Sequence, residues 1–270
     1  MSTGQLTPGF DIGQAAARLR EAYRGGPIAP LSGTSPEATL DDAYAVQAAN
    51  TEHWLGEGRV LVGAKIGLTA KTVQKQLGVD QPDFGALFAD MAVDDGDVVA
   101  TGRLLQPKVE AEIAFVLARD PDPSRLTTAE LINCVDYALP AIEIVDSRIA
   151  DWKIGIVDTV ADNASAGLFV LGTTPTPLTG LDMRLAGMVL EVDGDPVSFG
   201  AGAACLGNPL HALGWLVRKM AQVGRPLRAG DVVLAGALGP MAAVSPGQRV
   251  EVRIEGLGSV RVRFGERAAA

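Results

Sequence analysis

Cysteine and histidine are scarce in this sequence, and both scarcities limit its chemistry. The 270 residues include two cysteines and two histidines, namely Cys134, Cys205, His53 and His211. Two cysteines are too few for a disulfide framework, so we expect a reducing compartment, the cytoplasm. We interpret both histidines as ordinary helix residues, because neither lies in a motif typical of water activation.

Long apolar runs and an excess of positive charge are also absent. No uninterrupted apolar stretch approaches the about 18 residues of a membrane helix, and residues 1–10 lack the segments of a signal peptide. Acidic residues outnumber basic ones by 32 to 23, for a formal net charge of −9, which argues against nucleic acid or a membrane as a partner. Hydrophobic residues make up 47%, so we expect a globular rather than a disordered protein.

Two helices are predicted at the N-terminus. Asp11 can cap the first, whose apolar positions recur at helical spacing. Thr39 starts the second, which ends by residue 58. The pattern then changes to strand, so we expect an N-terminal helical arm, residues 1–58, ahead of a β-rich domain, residues 59–270. The length fits one large domain or two modest ones, and we expect the two parts to form one structural unit.

The first predicted strand carries an isolated charge. Residues 59–68 are apolar and glycine-punctuated, and Lys65 is the lone charge in their interior. A lysine there must either extend to solvent or meet an anionic partner, and the pattern alone favours neither. We expect Thr69 to cap a short helix, followed by an irregular loop at 78–85 that contains Asp83.

The rest of the chain is predicted to be mostly strand. We expect a helix from Thr127 to about Ala138, because Pro140 disfavours helical geometry in the residue before it. Other predicted elements are strands at 141–148, 167–172, 188–192, 197–199 and 231–234, a helix at 208–224, a hairpin at 250–264 and a frayed tail at 265–270.

The most informative stretch is the strand from Pro107 to Leu117, which carries two carboxylates. Because side chains alternate along a strand, Glu110 and Glu112 share one face, about 6.6 Å apart at the backbone, and can converge on one hard cation. The rest of that face, Ala114 and Val116, is apolar and indicates burial, where two carboxylates would raise their own pKa unless a cation compensates them. The alternative is an edge strand that exposes both glutamates to water. A third acid, Glu143, lies inside the apolar strand at 141–148.

Several segments resemble a known family. The segments GAKIGLT at 63–69, QPDFG at 81–85 and DTVADNAS at 158–165, together with 107–116 and 143–149, are similar to the hydratase/decarboxylase branch of the fumarylacetoacetate hydrolase superfamily. Two more, 202–209 and 236–241, are most similar to the members of this branch that hydrate 2-hydroxypenta-2,4-dienoate. The resemblance runs through nearly the whole chain.

The resemblance implies both a fold and a site. The fold would be α+β, a mixed β-sandwich roll with peripheral helices, in which residues 59–270 form the catalytic β-roll domain and subunits form homo-oligomeric rings, pentameric or decameric. The site would hold a divalent metal, and carboxylate-only ligation suits Mg²⁺ or Mn²⁺. By motif, the metal ligands would be Glu110, Glu112 and Glu143, the acid/base candidates Lys65 and Asp83, and the substrate contacts Leu68 and Ser165.

The implied activity is addition of water to a 2-hydroxy-2,4-dienoate in bacterial meta-cleavage of aromatic compounds. A hydro-lyase of this kind converts 2-hydroxypenta-2,4-dienoate to 4-hydroxy-2-oxopentanoate through an enolate, which a Lewis acid stabilises. One alternative is decarboxylation of 4-oxalocrotonate (2-oxohex-3-enedioate), which needs the same chelation. A second, of another class, is a non-catalytic scaffold subunit. The sequence leaves open which of Lys65 and Asp83 moves which proton.

Overall fold

The computed structural model describes residues 6–266. Within this range, no helix is both long and apolar enough to span a membrane. The helices are α1 (Ile12–Gly25), α2 (Leu31–Thr34), α3 (Leu40–Gly56), α4 (Lys71–Leu77), α5 (Thr128–Cys134), α6 (Ile156–Ala161) and α7 (Pro209–Gln222). The strands are β1 (Leu61–Gly67), β2 (Asp83–Phe88), β3 (Ala92–Val93), β4 (Val98–Val99), β5 (Lys108–Leu117), β6 (Val135–Val145), β7 (Ala166–Leu171), β8 (Gly187–Val192), β9 (Asp195–Ala201), β10 (Val232–Ala237), β11 (Ala242–Ala243), β12 (Arg249–Ile254) and β13 (Gly258–Phe264).

The strands form two sheets that pack on each other. The larger sheet has the order β2-β1-β10-β5-β6-β7-β3, with β11 paired to β5, and the smaller has the order β4-β13-β12-β8-β9. The larger sheet is mixed, since β1 pairs parallel with β10 and antiparallel with β2. Strands β5 and β6 contact β8, β12 and β13 of the smaller sheet, and Ile113, Ile142, Leu190 and Val252 are buried in one shared core. The predicted α+β fold, a mixed sandwich with peripheral helices, is confirmed.

The two N-terminal helices form where the sequence predicts them. The Asp11 side chain caps α1, and Thr39 caps α3 in a reciprocal capping box. Their apolar faces do not pack on the main core alone: Leu19 and Val46 belong to a second hydrophobic cluster, which includes Val160 of α6. The helices therefore cover the segment that leads into residues 162–165.

Two predictions next to β1 are wrong in detail. Thr69 does not cap α4, which begins at Lys71 after Ala70 without a side-chain hydrogen bond. Thr69 is instead buried, and its side chain fills the space beside Gly236, where a Cβ would lie 2.4 Å from it. Asp83 is the first residue of β2, not part of a loop, because the segment after Pro82 pairs antiparallel with β1. The pairing outweighs the loop signals of proline and glycine.

The boundary between α5 and β6 also differs from the prediction. The helix ends at Cys134, and β6 runs from Val135 through Pro140 to Val145. Proline is tolerated inside this strand because its missing N–H leaves one side of the ladder open, while its carbonyl accepts a hydrogen bond from Gly172 N at 2.8 Å. Pairing with β5 along its whole length keeps the strand extended.

Two smaller differences concern α6 and the C-terminus. Helix α6 was not predicted, since its six residues are too few to show a helical period. In the predicted frayed tail, Gly265 is still fixed, because its N–H donates to Val99 O at 2.9 Å. Residues 267–270 of that tail lie outside the described part of the chain.

Candidate active site

The register between β5 and β6 brings three glutamates together. Glu110 lies directly opposite Glu143 in this antiparallel pair, so both side chains leave the same face of the sheet. Glu112 is two residues further along β5 and shares that face. One carboxylate oxygen from each of the three lies within 4.8 Å of the others. This face therefore presents a compact set of three acidic groups.

The three glutamates are poorly neutralised by the protein itself. Glu112 and Glu143 are 0% and 1% exposed, whereas Glu110 is only partly buried. Gly236 N donates to Glu112 Oε2 at 2.8 Å, and Lys65 Nζ lies 3.0 Å from Glu143 Oε1. Glu112 Oε1 and Glu143 Oε2 have no hydrogen-bond partner among the described residues. Buried oxygens without donors fit a hard divalent cation, which binds through carboxylate oxygens.

Burial and mutual repulsion shift the pKa of these acids upwards. Burial, followed by the charge of Glu143, raises the pKa of Glu110 from 4.5 to about 7. The same two causes raise the pKa of Glu112 well above its usual range. In the metal-free chain at neutral pH, the glutamate group therefore retains protons that a bound cation would displace.

Lys65 is the buried cation of the site. It lies in the middle of β1, is 3% exposed, and donates to Ala164 O at 3.0 Å in addition to its ion pair with Glu143. Burial alone would lower the pKa of its ammonium, but the negative charges of Glu143 and Asp83 outweigh burial and raise it. Lys65 is therefore held in its charged form, and the second of the two alternatives for this lysine, an anionic partner, is the one observed.

Asp83 and Lys65 both lie beside Gly67, whose missing side chain leaves room for them. Asp83 pairs with Gly67 across β1 and β2, and a Cβ on Gly67 would lie 2.1 Å from Asp83 Oδ1 and 3.3 Å from Lys65 Nζ. Both Asp83 oxygens are buried without a hydrogen-bond partner among the described residues. Burial raises the pKa of Asp83 from 3.8 to about 6, although Lys65 opposes the shift. A carboxyl of this kind can hold or release a proton near neutral pH.

A left-handed turn supplies the remaining polar groups. Asn163, Ala164 and Ser165 have φ values of 54°, 52° and 54°, a conformation that costs about 1–2 kcal/mol for a residue such as alanine or serine. The turn directs Ala164 O to Lys65, and the buried Ser165 Oγ has no hydrogen-bond partner among the described residues. An unpaired buried hydroxyl is typical of a group reserved for a ligand.

The structure thus gathers six of the seven predicted site residues around one buried face. Leu68, the seventh, follows β1 with a φ of 56°, is partly buried, and its carbonyl accepts from Gln74 Nε2 at 2.7 Å. Its role as a substrate contact stays a prediction. Two supporting residues escaped the sequence reading, Gly67 and Arg148. No local pattern pointed to Arg148, which follows Asp146 and Ser147 in the sequence and whose partner Asp162 is 14 residues away.

A two-sheet roll that gathers three glutamates beside a buried lysine and aspartate defines an enzyme of the fumarylacetoacetate hydrolase type. Sequence comparison gives the same answer, since residues 50–264 match the family model described as fumarylacetoacetate (FAA) hydrolase C-terminal. The chain belongs to the fumarylacetoacetate hydrolase family.

Its relatives include proteins of nearly the same length. The chain is 58% identical to 2-keto-4-pentenoate hydratase 2 of Dechloromonas aromatica (strain RCB) over 261 residues, which cover 96% of this chain and 100% of that protein. It is 57% identical to the 2-keto-4-pentenoate hydratase of Paraburkholderia xenovorans (strain LB400), covering 93% and 94%. Among solved structures, it is similar to 4-oxalocrotonate decarboxylase from Pseudomonas putida G7 complexed with magnesium and adipate, with a TM-score of 0.89, 36% identity, and coverage of 94% and 97%.

Proposed function

We propose that this protein is a metal-dependent hydratase that converts 2-hydroxypenta-2,4-dienoate to 4-hydroxy-2-oxopentanoate. The observation that carries the proposal is the group of buried carboxylate oxygens without donors beside Lys65 and Asp83. Identities of 57% and 58% to 2-keto-4-pentenoate hydratases over almost the whole chain support this substrate. The 36% identity to the decarboxylase supports 4-oxalocrotonate less strongly.

We assign Glu110, Glu112 and Glu143 as the ligands of a divalent cation, Mg²⁺ or Mn²⁺. Their oxygen-only donor set and close spacing suit a hard cation. When bound, such a cation supplies Lewis acidity toward the carboxylate and 2-oxygen of the substrate. Magnesium is present in the similar decarboxylase structure, which supports the choice of a hard metal.

The remaining residues are assigned roles from their surroundings. Lys65 keeps a fixed positive charge, so it stabilises the negative charge that develops on the substrate as an enolate. Asp83, with a pKa of about 6, is the group that transfers protons. It exchanges a proton with carbon 5 of the dienoate or with the incoming water. Ser165 Oγ is free to contact the substrate. Helices α1 and α3 help to exclude bulk water from the segment behind the turn.

The test offers both candidate substrates to the purified, metal-depleted protein, with and without added Mg²⁺ or Mn²⁺. We expect metal-dependent loss of dienol absorbance with 2-hydroxypenta-2,4-dienoate and no release of CO₂ from 4-oxalocrotonate. Release of CO₂ as the faster reaction would favour the decarboxylase instead. If neither compound reacts in a metal-dependent way, the enzyme assignment is refuted and the non-catalytic scaffold subunit remains as the alternative.

A matched pair of variants tests the site within the same assay. Glu112→Gln keeps the acceptor for Gly236 N but removes a charge, so we expect loss of metal-dependent turnover. Glu255→Gln makes the same change on an exposed residue and should leave turnover unchanged. Full activity of Glu112→Gln would remove this residue from the metal site. We also expect ring-shaped homo-oligomers in the cytoplasm, which light scattering and cell fractionation can check.

A further inference from the structure

The left-handed turn, Asp162 to Ala166, is held from outside by two side chains with no assigned part in the chemistry. Ala164 and Ser165, two of its three left-handed residues, are buried and carry side chains that disfavour this conformation, so intrinsic preference does not hold the turn. Contacts with the surrounding protein must therefore hold its backbone in this conformation. The contacts of Arg148 and Asn163 identify what does so.

Arg148 binds both ends of the turn. Its Nε donates to Asp162 Oδ1 at 2.5 Å and its backbone N donates to Asp162 Oδ2 at 2.9 Å. The two terminal nitrogens of the guanidinium donate to Asp162 O at 2.8 Å and to Ala166 O at 3.1 Å. The planar guanidinium thus fixes the distance between the carbonyls at the start and the end of the turn.

The surroundings of Arg148 keep this clamp rigid. The side chain is 0% exposed, and the Tyr23 ring of α1 lies over its guanidinium at 4.7 Å. Asp146 Oδ2 adds a more distant charge at 3.9 Å. A lysine here could keep one ion pair but could not reach the carboxylate and both carbonyls together.

Asn163, the first left-handed residue of the turn, attaches the turn to strand β2. Its Oδ1 accepts from Ala86 N at 2.7 Å and its Nδ2 donates to Ala86 O at 3.0 Å. The amide thereby takes the place of a paired strand along β2, the strand that carries Asp83. A Cβ on Gly85 would lie 2.3 Å from Asn163 O, so the turn and β2 are also in close backbone contact.

We infer that Arg148 and Asn163 are positioning residues, which hold the turn so that Ala164 O meets Lys65 and Ser165 Oγ faces the substrate. This inference rests on the proposed function, because it gives the turn a part in that reaction. Among the described residues, the side chains of Arg148 and Asn163 hydrogen-bond to Asp162, Ala166 and Ala86, and not to the glutamates that we assign to the metal, which belong to β5 and β6. The turn and the metal group should therefore be separable by mutation.

The experiment measures turnover of 2-hydroxypenta-2,4-dienoate per bound Mn²⁺, with bound Mn²⁺ counted by electron paramagnetic resonance. The variants are Arg148→Lys and Asn163→Ala, and the matched control is Arg228→Lys, since Arg228 also pairs with an aspartate, Asp120, but at an exposed position. We expect turnover per Mn²⁺ to fall at least ten-fold in both variants. The Kd for Mn²⁺ should stay within about three-fold of wild type, and the control should match wild type.

The outcomes separate positioning from folding. A purely structural role would reduce the number of Mn²⁺ sites but leave turnover per site unchanged, and that result would overturn the inference. If Arg148→Lys binds no Mn²⁺ because it does not fold, Asn163→Ala alone decides, and unchanged turnover per site in that variant overturns the inference.

A second readout keeps the inference apart from the proposed function. The saturated acid 2-oxopentanoate cannot be hydrated, so its binding to the Mn²⁺-loaded protein is measured without catalysis. We expect at least five-fold weaker binding in both variants. If the wild type binds 2-oxopentanoate but does not turn over the dienoate, only the proposed function is refuted. If the wild type and the variants bind 2-oxopentanoate equally well, the inference is refuted.

Discussion

The glutamate group should make the metal-free protein less stable as the pH rises from 5 to 8. Glu110 and Glu112 have a higher pKa in the folded chain than in the unfolded chain. Between the two values the folded state binds more protons than the unfolded state, so the free energy of unfolding falls as pH increases. Asp83 and Asp162, whose pKa values are each raised to about 6 by burial, act in the same direction.

The size of this effect follows from the shift at one carboxyl. A pKa that rises from 4.5 to about 7 corresponds to about 3 kcal/mol of lost folding free energy at pH 8, since each unit is worth about 1.4 kcal/mol. Glu110→Gln removes the charge of that carboxyl while keeping its shape. At pH 8 the metal-free variant should therefore be more stable than wild type by about 1–3 kcal/mol, and at pH 5 the difference should nearly vanish.

The assay is urea unfolding in EDTA at pH 5, 6.5 and 8, with Glu255→Gln as the surface control. Added Mn²⁺ should reverse the order at pH 8, because a ligand at 100 times its Kd stabilises the folded state by about 2.7 kcal/mol, and only wild type retains the full site. Metal-free wild type that is as stable at pH 8 as at pH 5 would refute the reasoning. So would equal stabilisation of both proteins by Mn²⁺.

Three further predictions concern the other site residues. Turnover should decline below a pH of about 6 as Asp83 becomes protonated, and Asp83→Asn should abolish both that decline and most of the activity in a pH–rate profile. Gly67→Ala should lower kcat/KM at least ten-fold, a loss of about 1.4 kcal/mol, because the new Cβ would lie 2.1 Å from Asp83 Oδ1; the Kd for Mn²⁺ should barely change. Ser165→Gly and Ala164→Gly should each relieve about 1 kcal/mol of left-handed strain, measured by denaturant unfolding. Only Ser165→Gly should lower kcat/KM ten-fold or more. Equal losses of kcat/KM in the two variants would assign the effect to turn flexibility.

Alternation along strands predicted the carboxylate face correctly, because it depends only on local geometry. The period of two put Glu110 and Glu112 on one face whatever the rest of the chain did. The position of Glu143 opposite Glu110 depends on the register of β5 and β6. No local pattern contains that register, and a slip by one residue would have turned Glu143 to the other face. Family motifs supplied what local physics could not.

The errors at Pro140, Asp83 and Arg148 share one cause, which is long-range pairing. Pro140 is a helix terminator in isolation, yet it lies within β6 because β5 pairs on one side and Gly172 donates to its carbonyl. Asp83 follows loop-forming residues, yet β1 fixes it in a strand. Arg148 looked unremarkable because its partner Asp162 is 14 residues away, and nothing in a local window joins the two.

The buried charges of the site constrain what it must bind. Four carboxylates, those of Asp83, Glu110, Glu112 and Glu143, surround one ammonium, that of Lys65, so the group would carry a charge of −3 if every acid were ionised. Such a charge is not sustained in a protein interior. A divalent cation reduces the imbalance to −1, and a single proton removes the rest. Asp83, with a pKa near 6, is the acid best suited to share that proton with a substrate. The same excess of acid that should weaken the metal-free fold therefore supports the proposed divalent ion, and under that proposal it would leave one mobile proton for catalysis.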